Sequence, residues 1–141
     1  PATLTNFAAD AAVNSYTYDY VNYRTDLNRI ANTYYTQNGR KAFFASLDAS
    51  NNLKKVISGR YILKSYIVGA PQLQEEGVWG NRPFWIVMLP INIDFFSGNL
   101  ETSVSSQSFM ARVILVQEPA TAMNLKGIAV DGITLSPYSG R

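Results

Sequence analysis

The segment QLQEEGVWGNRPFWIVMLPINIDFF, residues 72–96, carries the clearest structural signal of the sequence. It is rich in β-branched and aromatic residues, and Gly80-Asn81 stands at a turn position, so it predicts two strands joined by a hairpin. Pro90 interrupts the second strand, because proline cannot donate a hydrogen bond to a neighbouring strand. We therefore expect a bulge or a sheet edge at Pro90.

Strand patterns continue on both sides of this segment. GRYILKSYIVGAP (59–71) predicts a strand before it, and LETSVSSQSFMARVILVQ (100–117) predicts one after a tight hairpin at SGN (97–99). A loop, EPATAMN (118–124), then leads to GIAVDGITL (127–135), which predicts a short final strand. A Walker phosphate loop is excluded there, since Lys126 precedes both glycines and no helix follows. The second part of the chain therefore predicts an antiparallel sheet.

The first part of the chain has helical periodicity. Between about Thr5 and Tyr35, apolar and aromatic residues recur at alternating spacings of three and four, as on one face of an α-helix. These residues are Val13, Tyr16, Tyr20, Tyr23, Leu27, Ile30 and Tyr34. A single helix of thirty residues is improbable, and NYRTD (22–26) contains Asn22 and Thr25 as possible caps for a second helix.

Two shorter helices are predicted before the sheet. TQNGR (36–40) breaks the periodicity, with Asn38-Gly39 as a helix stop. KAFFASL (41–47) and DASNNLKKVI (48–57) then predict further helical turns. Helices followed by an antiparallel meander define one α+β domain over residues 1–141. A curved sheet wrapped round helices often forms a cone with a cavity at its mouth.

Composition excludes several classes of function. The 12 basic and 10 acidic residues give a net charge of only +2 and are scattered, so we expect no direct nucleic-acid binding. The sequence has no cysteine and no histidine, which excludes disulfides, thiolate metal sites and Ser-His-Asp chemistry. We expect no cofactor and no metal. The chain starts at Pro1 without a signal peptide or a long apolar run, so we expect a fragment of a longer protein.

Two residue groups are candidates for small-molecule chemistry. Asp94 lies among apolar neighbours and could be buried as the general base of a cavity enzyme, or it could face solvent on an alternating strand. The aromatic group VWGNRPFW (78–85) could stack on carbohydrate through Trp79 and Trp85, although such a group more often forms a core edge or a protein contact. Neither pattern is specific enough to predict catalysis.

The whole chain resembles the periplasmic domain of the DotI/IcmL/TraM proteins of type IVB secretion systems. The resemblance is carried by AVNSYTYDYVNYR (12–24), GRKAFFASLDASNNL (39–53), VGAP (68–71) and NLKGIAV (124–130), in the family's order. It implies a bitopic inner-membrane protein of a Gram-negative bacterium, with a membrane anchor upstream of this chain. It also implies a nuclear-transport-factor-2-like fold, similar to the VirB-type inner-membrane subunit.

The resemblance further implies a structural role rather than catalysis. The domain would help to assemble a secretion or conjugative DNA-transfer machine, with other envelope subunits and further copies of itself as partners. Tyrosine and arginine are frequent interface anchors, which favours Tyr18, Tyr20, Tyr23, Arg24 and Trp79 as contact residues. The alternative is a cavity enzyme or small-ligand carrier that uses Asp94.

Overall fold

The computed structural model describes residues 2–98, 102–119 and 127–138, in which four helices precede five strands. The helices are α1 (Ala2–Ser15), α2 (Tyr23–Tyr34), α3 (Gln37–Ser50) and α4 (Asn52–Gly59). The strands are β1 (Ile62–Ile67), β2 (Gln72–Trp79), β3 (Arg82–Phe96), β4 (Ser105–Gln117) and β5 (Ile128–Pro137). The predicted hairpin at 97–99 and loop at 118–124 lie partly outside the described residues. The predicted α+β fold, with N-terminal helices on an antiparallel sheet, is confirmed.

Strand β3 is the centre of the sheet. One of its edges pairs with β4 from Phe84 opposite Val116 to Phe95 opposite Ser105, and β5 lies beyond β4. The other edge pairs with β2 near its start and with β1 near its end, so β1 and β2 lie end to end. The predicted hairpin between β2 and β3 is confirmed. The longest strand thus connects two distant ends of the domain.

Strand β3 runs unbroken through Pro90, so it is neither interrupted nor at a sheet edge. The Pro90 carbonyl oxygen accepts the N–H of Val68 at 3.0 Å, which shows that this peptide faces β1 and β2. Because Pro90 has no N–H to donate on that side, regular pairing stops there. The chain between β1 and β2 leaves the sheet over residues 68–71. The irregularity predicted at Pro90 therefore lies opposite it, in residues 68–71 between β1 and β2.

The two faces of the sheet bury different clusters. Alternate residues of β3 face the helices and are at most 1% exposed: Val87, Leu89, Ile91, Ile93 and Phe95. They form the main core with apolar side chains from α1 to α4. On the opposite face, Phe84, Ile86 and Val116 form a smaller buried cluster. Successive side chains of a strand point to opposite faces of the sheet, so β3 contributes residues to both clusters.

The helical stripe predicted from Val13 to Tyr34 is not one continuous face. Helix α1 ends at Ser15, and residues 16–20 leave the helix and lie along the free edge of β1. The Leu63 N–H donates to the Tyr18 carbonyl at 2.8 Å, and the Tyr20 N–H donates to the Tyr61 carbonyl at 3.1 Å. The backbone groups at the edge of a sheet need hydrogen-bond partners. Tyr18 and Tyr20 therefore form bonds with this edge instead of bonds within a helix. The predicted second helix begins at Tyr23, with Asn22 at its N-cap position.

The helix stop predicted at Asn38-Gly39 is wrong, because both residues lie in the first turn of α3. The Thr36 hydroxyl caps this helix by accepting the Gly39 N–H at 2.9 Å and donates to the Asp131 carboxylate at 2.7 Å. A side chain at Gly39 would overlap the carbonyl oxygen of Val130. Gly39 is therefore required for the close approach of α3 to β5, and it does not end a helix.

Candidate interaction surfaces and cavity

A tight turn after residue 18 exposes apolar side chains at one end of the domain. The Asp19 carboxylate accepts the Val21 N–H at 2.8 Å and the Asn22 N–H at 2.7 Å, as in an Asx turn. This turn leaves Tyr20 38% and Val21 66% exposed. Burial acts to raise the pKa of the Asp19 carboxyl, but the hydrogen bonds from Asn22 and Val21 have the larger combined effect. The pKa of Asp19 is therefore lower than its ordinary value.

The start of α2 extends this surface. Tyr23 is half-buried, and the exposed Arg24 places its guanidinium carbon 5.5 Å from the centre of the Tyr23 ring. A cation over an aromatic face is held there by the ring's quadrupole. We call Tyr20, Val21, Tyr23 and Arg24 the N-terminal surface. It contains three of the predicted contact residues, together with Val21, which the sequence analysis missed. The Asp-x-x-Asn pattern at 19–22 was the available signal for the turn.

Tyr18 does not reach the N-terminal surface, although the sequence analysis grouped it there. The side chain is 3% exposed and lies in the core. Its hydroxyl is buried and has no hydrogen-bond partner within the part of the chain that the structure describes. Burial raises the pKa of Tyr18, so the group stays a neutral phenol. A buried hydroxyl without a partner costs about 1–3 kcal/mol, which makes Tyr18 an unusual core residue.

A second apolar surface surrounds Trp79 at the end of β2. The indole is 47% exposed and stacks on the Phe84 ring, with centroids 3.8 Å apart and an interplanar angle of 10°. Val78 next to it is also exposed. Arg82 pairs with the Glu118 carboxylate and donates to the Gln117 carbonyl, which fixes the neighbouring hairpin. We call Trp79, with the Phe84 ring stacked beneath it, the tryptophan surface; Val78 points to the opposite face of the strand.

The two surfaces lie at opposite ends of β3. Trp79 is opposite Arg82, the first residue of β3, in the sheet register. Asp19 bridges to Ile62, and Ile62 is opposite Phe96, the last residue of β3. A strand rises about 3.3 Å per residue, so nearly the full length of this 15-residue strand separates them. Partners on the two surfaces would not overlap.

A cavity of about 280 Å³ lies between the helices and the sheet. Its wall is mostly apolar and carries no charged side chain among the described residues: Tyr16, Tyr18, Ser46, Leu47, Asn52, Leu63, Ile93, Phe109, Ile133, Thr134 and Leu135. A cavity of this kind was predicted from the fold class. The residues of the wall were not predicted, because they come from seven separate segments of the chain.

Asp94 is not part of this cavity. Ile93, its neighbour on β3, forms part of the wall, and Asp94 points to the other face of the sheet. There its carboxylate accepts the Ser106 hydroxyl at 2.6 Å. The solvent-facing alternative for Asp94 is therefore the one observed. A base at this position would be separated from the cavity by the sheet itself.

The described residues form neither a metal site nor a carbohydrate platform. They contain no group of three or more acidic side chains that could hold a metal ion. Trp79 belongs to the outer face of the sheet with Phe84, whereas Trp85 packs against the main core on the inner face. The two indoles cannot stack on the same sugar ring.

Among the described helices, none has the length and apolarity needed to cross a membrane.

Comparison with known proteins identifies the family. Residues 2–135 match the family model of the inner-membrane complex component of the type IVb secretion system, DotI/IcmL. The chain belongs to the DotI/IcmL family. It is thus a type IV secretion-system component by family, as the resemblance of its sequence segments implied. No protein with a curated description matches the sequence.

Solved structures show which known domains share this fold. The periplasmic domain of DotI superposes with a TM-score of 0.85 at 24% identity, covering 96% of this chain and 94% of that one. A periplasmic fragment of TraM gives 0.79 at 20% identity, covering 96% of each chain. CagV, a VirB8 homologue from Helicobacter pylori, gives 0.74 at 12% identity, covering 99% of this chain and all of that one. The DotI/IcmL chain described here shares the VirB8-like fold of these periplasmic domains.

Proposed function

We propose that this chain is the periplasmic domain of a bitopic inner-membrane subunit that helps to assemble a type IVB secretion or conjugation machine. Family membership and the fold shared with periplasmic domains of DotI and TraM support this role. The domain acts through protein-protein contacts and needs no catalytic residue. Its anchor precedes the chain and holds it at the inner membrane of a Gram-negative bacterium.

The observation that carries this proposal is the position of the two exposed apolar surfaces. The N-terminal surface and the tryptophan surface stand at opposite ends of β3. Each contains aromatic side chains beside an arginine, which is the composition of interface hot spots. A subunit with two such surfaces binds two neighbours at once, either two other subunits or further copies of itself. Membrane tethering raises their effective concentration, so each contact can be weak.

Site-specific photo-crosslinking in the native envelope tests the proposal. A photoreactive residue is placed at Tyr20, at Trp79, or at Lys41, an exposed position on α3 that belongs to neither surface. We expect Tyr20 and Trp79 to crosslink to different secretion-system subunits or to a second copy, and Lys41 to give no such product. Cells must remain transfer-competent with each probe.

Equal crosslinking from all three positions, or none from Tyr20 and Trp79 in transfer-competent cells, would show that these surfaces are not the contacts. Protease accessibility of the domain in cells with a permeabilised outer membrane tests its compartment separately. Digestion of the domain in intact spheroplasts is expected. Protection until the inner membrane is broken would contradict the periplasmic assignment.

A further inference from the structure

The sheet has one long edge formed by β1 and β2, which lie end to end beside β3. The chain covers the β1 half of this edge itself, because residues 16–20 lie along it. The far edge of the sheet, at β5, is covered at Val130 by the backbone of Thr36. Among the described residues, no strand or bridge lies on the outer side of β2. The β2 half of the long edge is therefore open.

The backbone of β2 points hydrogen-bonding groups outward along this open edge. In an antiparallel pair, a residue either exchanges both backbone hydrogen bonds with the residue opposite or points both groups to its other side. Val78 is opposite Pro83, which has no N–H, so this pair cannot exchange both bonds. The N–H and C=O of Val78 therefore point away from β3, as do those of Glu76, two residues earlier. The register shift between Leu73 and Glu75 limits the regular edge to residues 75–79.

The side chains of the open edge are acidic. Glu75 and Glu76 are both exposed, and neither forms an ion pair with a described residue. Neighbouring residues of a strand point to opposite faces, so the edge has one carboxylate on each face of the sheet. Pairing of β2 with β2 of a second copy would gather four carboxylates along one short pair of strands, which is destabilising. A strand with basic side chains would be stabilised there.

We propose that the edge of β2 from Glu75 to Trp79 binds an extended segment of another protein that contains adjacent basic residues. The segment adds as a strand, and main-chain hydrogen bonds at Glu76 and Val78 supply affinity. Its two basic side chains point to opposite faces and meet the two carboxylates. The tryptophan surface lies at the end of the same edge and offers an apolar contact. The proposal rests on the assembly role only for the source of the segment, which is a neighbouring subunit.

A synthetic peptide and the purified domain test the binding separately from crosslinking in cells. The probe is a capped peptide of sequence Thr-Val-Lys-Arg-Val-Thr-Tyr, and its acidic counterpart is Thr-Val-Glu-Glu-Val-Thr-Tyr. A third peptide has proline in place of both valines of the probe, which keeps the charge but prevents strand pairing. Each peptide is titrated into the domain at low ionic strength, and the NMR signals of the backbone amides are followed.

We expect the basic peptide to bind at least about fivefold more tightly than either control peptide. Its main-chain bonds would cover the outward N–H groups of the edge. The amides of Glu76 and Val78 should therefore exchange with solvent more slowly in the complex than in the free domain.

Variants of the domain test the edge itself. Val78→Pro removes an outward N–H but no bond to β3, so it should weaken binding of the basic peptide at least about fivefold in a folded domain. Glu75→Lys combined with Glu76→Lys should reverse the preference in favour of the acidic peptide. Asp10→Lys combined with Asp48→Lys changes the net charge equally at exposed positions of α1 and α3 and should keep the preference for the basic peptide. Near-ultraviolet circular dichroism checks that each variant is folded.

Three results would overturn the proposal. One is no binding of the basic peptide to the wild-type domain, or equal binding of the acidic peptide. Another is binding with unchanged amide exchange at Glu76 and Val78, which would place the peptide elsewhere on the domain. The third is slower exchange of these amides as the concentration of the domain alone rises, which would assign the edge to a second copy of the chain.

Discussion

Pro90 accepts a hydrogen bond from Val68 at 3.0 Å and can return none, and this one-sided pair separates β1 from β2. The chain that leaves the sheet after Val68 passes directly over the proline ring. At Gly69, an added Cβ atom would lie 2.7 Å from the Pro90 Cγ atom. The absence of a side chain at Gly69 therefore leaves the space that the Pro90 ring occupies.

We expect Gly69→Ala to destabilise the domain by about 1–2 kcal/mol, because the new methyl group overlaps the proline ring. In a Pro90→Ala background the ring is absent, and the same substitution should cost less than about 0.5 kcal/mol. Urea denaturation of the two single variants and the double variant measures the coupling. Additive effects would show that the two residues do not restrict each other.

Gly39→Ala tests the close approach of α3 to β5. In an unobstructed helix, replacing glycine by alanine stabilises by up to about 1 kcal/mol. Here the methyl group would overlap the Val130 carbonyl oxygen, a backbone atom that cannot rotate away. We expect a net loss of about 2 kcal/mol or more in the free energy of unfolding. Gain of stability would mean that α3 does not pack this closely.

The matched control is Ala42→Gly, at an exposed position of the same helix. It should cost about 1 kcal/mol through helix propensity alone. Gly39→Ala should therefore destabilise more than Ala42→Gly, although it introduces the better helix former.

Asp19 links the N-terminal surface to pH. Hydrogen bonds lower its pKa in the folded state, so its stabilising contribution is complete above the unfolded value of about 3.9 and is lost as the pH falls through the folded pKa. Asp19→Asn keeps an oxygen that accepts the two N–H groups but removes the charge. We expect wild type to be the more stable protein at about pH 7 and the difference to shrink as the pH falls below about 3.9.

Denaturation by urea across that pH range measures the difference. A wild-type to Asp19→Asn difference that is independent of pH would show that the charge does not strengthen the turn.

Ser15 and Tyr35 form a buried hydrogen-bonded pair between the last residue of α1 and the residue that follows α2. The Ser15 hydroxyl donates to the Ala11 carbonyl at 2.6 Å, so the Tyr35 hydroxyl donates to Ser15 at 2.7 Å. Ser15→Ala leaves a buried phenol without its acceptor and should cost about 1–3 kcal/mol. Tyr35→Phe removes both the donor and the need for a partner, so adding it to Ser15→Ala should recover part of that loss.

Thermal or urea denaturation of the four proteins in this cycle provides the measurement. If the double variant is as unstable as the sum of the single ones, the pair has no coupling and the hydroxyls interact with other groups.

Much of the sheet could be predicted from sequence, because alternation and turn residues act locally. The hairpin at Gly80-Asn81 and the successive pairing of β2, β3, β4 and β5 follow the order of the chain, as in the predicted meander. The pairing of β1 with β3 does not, because a meander would pair β1 with β2. The segment from Tyr16 to Tyr20 could not be predicted in this way. Its helical spacing is real, but the free edge of β1 competes for its backbone, and Ile62 is more than forty positions away.

Prediction of the candidate sites had the same limit. Tyr20, Tyr23, Arg24 and Trp79 were predicted as contact residues because aromatic residues and arginines are typical of interfaces, and that role stays a prediction. Tyr18 was grouped with them since it is their neighbour in sequence, yet its side chain points the other way. Whether a tyrosine faces solvent or the core within an irregular segment depends on hydrogen bonds to Leu63 and Tyr61, which are remote in sequence.

The anchoring of α3 on β5 also determines when the fold can be completed. Thr36 is bonded to Val130 and Asp131, which lie 94 and 95 residues further along the chain. A chain that emerges from the ribosome or a translocation pore with its N-terminus first must hold α3 undocked until those residues appear. Contacts of such long range slow folding and leave apolar surface exposed for longer. The domain therefore completes its structure only after Asp131 has been synthesised, and α3 stays undocked until then.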